Sequence, residues 1–521
     1  MKTIRNFLAK LPAALSVALG VGYIAMLCLL VFGERHYAPA YRNTSFLWPN
    51  WLLMALGLAV LGLAAWLLLG VRPRTLARPA RAGAWGLCAL YACIYLVQCV
   101  MARSLWFYAG WDLEHVRIYA AALAMGEPVN PAYFQLCPNN APITALLALP
   151  YWLGVKLGLA VPYAVLPYAS AAMVNLSGLF TMLCVRRLSQ SRAVRWFTFA
   201  VSTGWLVLSP YLAVPYTDAF TVLFPVLALY LYNTRLRAPF KWGLIALACS
   251  CGGSLKPTVY IVLIALLLLE GCHLLACLPW RRERMTRMAL TALAVVIGIL
   301  PGVLWQTQTT IALAGSAKPE QMLDLPHYLM IGQNNGTLGG FSAEDLAFSQ
   351  SFATLAERNA ASMQVAKERI MARGLWGNLR FYATKAYKAY ADGTFAYNGS
   401  MLVNELPPRW DGVSVFLRNI FTRKGDANPA YCTLMQGIWL ALLALCAYAA
   451  ILLRKRGVVA VISVTLIGLT MYLLLFEVWP RYLFLYAPFF VILAALGFGE
   501  LRDRLRGRGA TAARGARRVE G

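Results

Sequence analysis

Acidic side chains are scarce in this chain: 21 Asp and Glu stand against 47 Lys and Arg among 521 residues, with only four His. Charged residues of both signs reach just 13%, about half the share found in soluble domains. With 60% hydrophobic residues and a mean hydropathy of +0.61, that shortage excludes a water-soluble fold. Metal-ligand spacing of His and Cys is missing too. Most of the twelve cysteines fall inside apolar runs, where they behave as small hydrophobes. Only Cys137 and Cys432 fall where an oxidising exterior could reach them, so no disulfide framework is expected. No A-x-A cleavage site follows the first apolar run, from Leu11, which therefore reads as a retained helix. The net charge of +26 does not imply nucleic-acid binding, because the basic residues sit in short clusters between apolar runs. That is the positive-inside pattern of a polytopic membrane protein.

A span needs roughly 20 mainly apolar residues. Runs that qualify cover about 11–32, 48–70, 84–102, 142–160, 162–185, 196–211, 217–233, 242–254, 257–275, 288–306, 431–453, 457–476 and 482–499. The clusters at 72–81, 186–195, 234–241, 281–287 and 454–456, the amino terminus and the tail from Arg502 are assigned to the cytoplasmic side. The turns near Asp112, Asp218, Ser254 and Glu477 and the segment 307–430 then face outward. One count conflicts: an odd number of crossings must separate Asp112 from Arg186, yet two apolar runs lie between them. Run 142–160, interrupted by Pro150 and Lys156, is therefore expected to enter the membrane only part way. The reading is an all-α bundle of 12 or 13 transmembrane helices. Its divisions are an amino-terminal hairpin and loop (1–83), a transmembrane module (84–306), an extracytoplasmic subdomain (307–430), carboxy-terminal helices (431–500) and a basic, disordered tail (501–521) drawn to anionic lipid.

Given so few acids, the stretch FYAGWDLEHVRIYAAALAMG at 107–126 stands out, with Asp112 and Glu114 beside His115 and Arg117. Asp112 alone would read as a helix N-cap. Four further ionisable groups recur at the same expected membrane level: Asp218 in VPYTD, Lys256 in GGSLKPT, and Glu477 with Arg481 in FEVWPRYLF. Burying such groups at membrane depth costs about 2.5–3.5 kcal/mol each, which favours a functional reading. Glu477 and Arg481, four apart, also fit a plain helix ion pair. Carboxylates beside cations at a bilayer surface suit an acceptor hydroxyl attacking a phosphate-linked donor: one carboxylate acts as general base, and a guanidinium and an ammonium hold the phosphate. With no nucleotide outside the membrane, the donor would be a lipid-linked sugar.

These motifs, in this order, resemble the GT-C superfamily of integral membrane glycosyltransferases, especially bacterial relatives of the dolichyl-phosphate-mannose protein mannosyltransferases. The resemblance covers roughly 84–310 and 431–499. It makes Asp112 the first-loop catalytic Asp and Asp218 the second acidic position. KPT at 256–258 resembles the family's LTKPT turn, and EVWPRYLFLYAPFFVIL at 477–493 the signature before its final helix. CPNNAPITALLALPYWLG fits the following run loosely. Two features depart from the family: an extra hairpin precedes the module, and the usual His-Pro-Pro after the first loop is absent.

The expected function is inverting transfer of a sugar, mannose by default, from a polyprenyl-phosphate donor to a glycan, glycolipid or protein acceptor. Asp112 is the base, Glu114 its substitute, and Asp218 positions the acceptor or a cation. Lys256, Glu477 and Arg481 bind the donor, with His115 and Arg117 beside the base. His327, Asn334 and Asn335, in HYLMIGQNNGTLGGFSAEDLAFSQSF, are placed on the acceptor side, although a Gly-rich turn and a capping SAED helix start explain that stretch equally well. Some members of the superfamily hold a divalent cation through such carboxylates, and mannosyltransferase-type members need none. The bilayer is the remaining partner, and a bacterial cell membrane with an outward-facing site the expected location. A transporter or flippase of lipid-linked glycans is the main alternative, but it predicts inverted repeats, which this sequence lacks. A glycan ligase or polymerase and a scaffold complete the alternatives.

Overall fold

The computed structural model describes residues 2–33, 46–70, 83–159, 162–277, 282–400 and 406–519. Among them there is no β-strand. The longer helices, in chain order, are α1 (Lys2–Phe32), α2 (Asn50–Gly70), α3 (Ala84–Leu105), α4 (Asp112–Met125), α5 (Ala141–Lys156), α6 (Leu166–Leu188), α7 (Arg192–Val201), α8 (Leu223–Tyr232) and α9 (Ala238–Leu255). They continue with α10 (Tyr260–Ala276), α11 (Arg282–Ala314), α12 (Leu325–Gly332), α13 (Ala343–Gln350), α14 (Leu355–Tyr390), α15 (Gly412–Phe421), α16 (Asn428–Leu452), α17 (Gly457–Leu475) and α18 (Ala487–Val519).

Eight of the described helices are long and apolar enough to cross a bilayer: α1, α3, α6, α10, α11, α16, α17 and α18, the last extended back to Pro480. The protein is an all-α polytopic membrane protein. The five other runs read as spans correspond to α2, α5, α9, the α7 region and residues 217–232. A π-helical turn at Ser202–Val207 breaks the α7 region. Residues 217–232 form two short helices, Thr217–Thr221 and α8.

The membrane end of α18 is the core of the bundle. Phe489, Phe490, Val491 and Ile492 are fully buried, and Trp439 of α16 packs against Phe490. Small residues decide the tightest crossing, between α9 and α11. Gly302 Nα–H donates to Ser250 Oγ at 3.0 Å, Ser250 Oγ donates to the Ile299 carbonyl, and Gly298 lies against the backbone of Gly243. Close backbone approach of this kind replaces the hydrophobic drive that lipid cannot supply. A Cβ on Gly302 would overlap the Ser250 carbonyl, whereas one on Gly271 of α10 meets nothing. Gly302→Ala is therefore expected to cost about 2 kcal/mol and Gly271→Ala close to none, read as thermal midpoints in detergent.

The two ends of the bundle differ. At the basic end, Arg195 donates to the carbonyls of Ser189 and Arg186, Arg502 donates to Ser191, and Arg5 reaches the Ala276 carbonyl at the foot of α10. At the opposite end lie the turns carrying Asp112, Asp218, Lys256 and Glu477. Asn140, just before α5, bonds Tyr216 at this end. Ser170, in the first turns of α6, bonds the Val214 carbonyl two residues away from Tyr216. Helix α5 therefore starts and is left on one side of the bundle, which accounts for the odd crossing count. It is not among the eight spans.

Two expectations are corrected. Helix α11 runs to Ala314, so the polar segment starts later than residue 307; the hydroxyl of Thr309 bonds the Trp305 carbonyl within the helix, which hides it from lipid. Helix α18 carries on past residue 501, so the start of the tail read as disordered is helical. The helix expected over 354–390 is α14, opened by a Thr354–Glu357 capping box and broken at Gly374, whose φ is +58°. Ser342 caps α13, as the SAED reading proposed.

Candidate functional site

Asp112 does not cap its helix. Trp111 holds the N-cap position and no side chain caps α4; Asp112 is the first helical residue and accepts a hydrogen bond from Tyr133 Oη at 2.9 Å. Tyr133 Oη in turn accepts from Asn140 Nδ2 at 2.7 Å, and Asn140 Oδ1 accepts from Tyr216 Oη at 3.0 Å. This chain of polar groups orients the carboxylate from three separate elements. Among the described residues, Asp112 makes no ion pair and no other hydrogen bond. Glu114, by contrast, is held by Arg117 one turn later through both carboxylate oxygens. Arg117 also lies over the Tyr108 ring, and the exposed His115 stacks on Tyr133 with ring centres 4.7 Å apart.

Asp218 is buried, its side chain 3% exposed, and ion-paired with Lys256, which is 13% exposed. Arg481 Nε stands 3.8 Å from the other Asp218 oxygen. The guanidinium lies over Trp111 at 4.6 Å and over Tyr482 at 5.6 Å, while Lys256 sits over the same Tyr482 at 4.4 Å. Trp111 also meets Tyr216 edge-on at 5.0 Å. The four turns thus close on one aromatic frame. Arg481 Nε and Trp111 Nε1 make no hydrogen bond among the described residues.

Glu477 accepts from Trp479 Nε1 at 3.0 Å, and among the described residues it forms no ion pair with Arg481. Burial pushes its carboxyl above the usual range, and the negative charge of Asp112 adds to this; Arg481, the Trp479 bond and Lys388 oppose it without cancelling it. Tyr328 of α12 faces the same charges. Burial, Cys137, Glu477 and Asp112 together push its phenol up. Five groups expected at one level, Asp112, Asp218, Lys256, Glu477 and Arg481, are thus brought together.

Lys385 and Lys388 of α14 were not anticipated. Lys385 is fully buried, and its Nζ donates to the carbonyls of Gly332, Leu474 and Phe476 at 2.6–2.9 Å. Lys388 donates to the Thr337 carbonyl at 2.9 Å and lies over Trp479. Burial pushes the Lys385 ammonium down to about 7, helped by Lys388 and Arg373 and opposed by Glu477. Lys388 goes down to about 8, also by burial, with Glu477 opposing. The pair ties the 332–339 turn to the end of α17, next to Glu477. Their signal was present: two lysines in the otherwise apolar FYATKAYKAYA. Lys385→Met removes all three bonds and leaves the carbonyls buried. A loss on the order of 3 kcal/mol is expected, measured by thermal unfolding in detergent.

His327, Asn334 and Asn335 make their side-chain bonds within residues 327–373. His327 Nδ1 is 2.6 Å from Ser349 Oγ, and burial, with Arg358 adding and Asp345 opposing, pushes the imidazole down to about 4. Asn334 donates to Asp345, which Arg369 grips with two bonds. Burial raises the Asp345 carboxyl, but the bonds from Arg369 and Asn334 outweigh it and the net direction is down. Asn335 accepts from Arg373. The structure thus gives all three a role in holding this segment together.

Among the described residues, no group of three or more His, Cys, Asp or Glu could hold a metal ion. Asp218 has its charge met by Lys256 and Arg481, so the donor set suits ammonium and guanidinium better than a divalent cation.

The sequence profile of a family described as conserved hypothetical integral membrane protein matches residues 44–500. The chain belongs to this family. No curated protein and no solved structure matches it. The part shared with the family runs from just before α2 into α18 and includes every residue of the site; all of α1 and the basic carboxy-terminal part of α18 lie outside it.

Proposed function

We propose that the chain is a GT-C-type glycosyltransferase that moves a sugar from a polyprenyl-phosphate donor to an acceptor hydroxyl with inversion. The observation carrying this reading is the contrast between the carboxylates. Asp218 is spent on cations and Glu114 on Arg117, while Asp112 is oriented by Tyr133 and keeps one oxygen unengaged. In the proposed step the acceptor O–H gives its proton to Asp112 as its oxygen bonds to the anomeric carbon. The bond from that carbon to the phosphate oxygen breaks, and polyprenyl phosphate leaves with the electron pair. A phosphate needs no protonation to leave, so a general acid is unnecessary. Arg481, lying over the Trp111 and Tyr482 rings, offers its donors to the phosphate. Lys256, engaged with Asp218, contributes charge at short range.

The site end is assigned to the extracytoplasmic face of a bacterial cell membrane, because the basic clusters gather at the other end. Mannose remains the default sugar. The acceptor is a glycan, a glycolipid or a protein hydroxyl.

The test uses purified protein in liposomes with radiolabelled polyprenyl-phosphate sugars and membrane extracts as acceptor source. Label should move from one donor, and unlabelled polyprenyl phosphate should compete. A parallel equilibrium measurement of donor binding needs no acceptor. Failure of every donor both to bind and to transfer would overturn the reading and favour transport.

A further inference from the structure

Helix α15 and the residue pair before it expose the wrong face for a segment in water. Ser414, Leu417, Arg418 and Phe421 point into the protein. Ser414 Oγ donates to Ser104 Oγ at 3.0 Å, Arg418 Nε donates to the Ser104 carbonyl at 2.9 Å, and Leu417 and Phe421 pack against Met101, Ala102 and Leu105. The opposite face is apolar and uncovered among the described residues: Trp410 is 90% exposed and Phe416 63%, with Val413 and Val415 beside them. An isolated exposed hydrophobe is ordinary, but four within seven residues are not.

The depth of this face is set by its neighbours. Ser104 is one residue from the end of span α3, whose flank Leu96, Val97 and Val100 is exposed and, in a bilayer, meets acyl chains. On the other side Asn428 Nδ2, in the first turn of span α16, donates to the Ile420 carbonyl, and Phe421 meets Tyr431 edge-on at 4.9 Å. Helix α15 therefore bridges the rims of two spans, and its apolar face continues the lipid-facing surface of α3. Arg103 reaches Asp411 at 3.8 Å, and Arg423 and Lys424 are exposed just beyond the helix. An apolar face with Trp at one end and cations alongside is the make-up of a helix lying in the headgroup–acyl boundary.

We infer that α15 is an interfacial helix whose Trp410–Phe416 face is seated in the leaflet on the site's side, with Arg423 and Lys424 among the headgroups. The inference does not depend on the catalytic reading. Its consequence is mechanical: the polar segment between α11 and α16 is fastened to the bilayer at its far end, which limits how far it can lift from the site.

The photoreactive residue p-benzoylphenylalanine placed at Phe416 tests this, with Val97 of α3 as the lipid-facing reference. Both side chains are exposed, so neither replacement removes packing. After irradiation in native membranes, mass spectrometry should find phospholipid adducts at position 416 in a yield comparable to position 97. A crosslinked homodimer or another protein captured at 416 would assign the face to a partner and overturn the inference. Lipid adducts at 97 with none at 416 would put α15 in water and overturn it as well.

Discussion

Asp112→Asn is expected to lower sugar transfer about 10³-fold while donor binding stays within about twofold, as loss of a general base does when geometry is kept. Asparagine preserves the volume and still accepts the hydrogen bond from Tyr133, so α4 and the Tyr133–Asn140–Tyr216 chain should hold. What is lost is the capacity to take the acceptor proton. Tyr133→Phe is the companion measurement. It leaves the carboxylate in place and removes its orienting bond, so a smaller loss is expected, about tenfold. The two results separate proton transfer from positioning. Unchanged transfer in Asp112→Asn would move the base elsewhere. Glu114 would be a poor substitute, since Arg117 holds both of its oxygens, leaving Glu477, whose raised carboxyl accepts a proton more readily.

The second large effect is expected at the other carboxylate. Lys256→Met should cost about 3–5 kcal/mol, because it leaves the Asp218 charge buried with only the longer contact to Arg481. Lys256→Met combined with Asp218→Asn should recover most of that loss, since no charge is then left behind. Thermal unfolding in detergent measures both, and the cycle also reports whether the pair serves stability alone. If the double variant folds normally but neither binds donor nor transfers sugar, the pair has a role in the site beyond packing. A single variant as stable as the parent would show that Asp218 is solvated or neutral, against the structure.

The groups legible in advance were those whose cost in a membrane makes them conspicuous. Asp218 and Lys256 each stand alone between apolar runs, and Glu477 and Arg481 punctuate the last turn; no alignment is needed to see them. Their pairing was not legible. That Lys256 belongs to Asp218, 38 residues earlier, and that Arg481 shares Tyr482 with it follows from three turns meeting in space. Asp112 is the instructive case. Its position before a helix suggested a cap, yet the backbone puts Trp111 in that role, and the decisive partner, Tyr133, lies beyond a turn, in the short helix Ala132–Leu136. Lys385 and Lys388 stand out as charges in an apolar stretch, but their role was not legible, because their partners are backbone carbonyls, which every residue carries.

The amino-acid sequence by itself determined that this is a helical membrane protein, which ends of its spans are basic, and which polar groups have to be neutralised at the opposite end. The reason is local: transfer free energy is summed residue by residue, and a charge in an apolar run is visible wherever it falls. Only the tertiary structure decided that Tyr133 orients Asp112 and leaves it an open oxygen, that Lys256 closes on Asp218, and that α15 turns its apolar face outward. Those outcomes depend on which elements pack side by side, and contacts between residues tens or hundreds of positions apart carry no signature in the order of the chain.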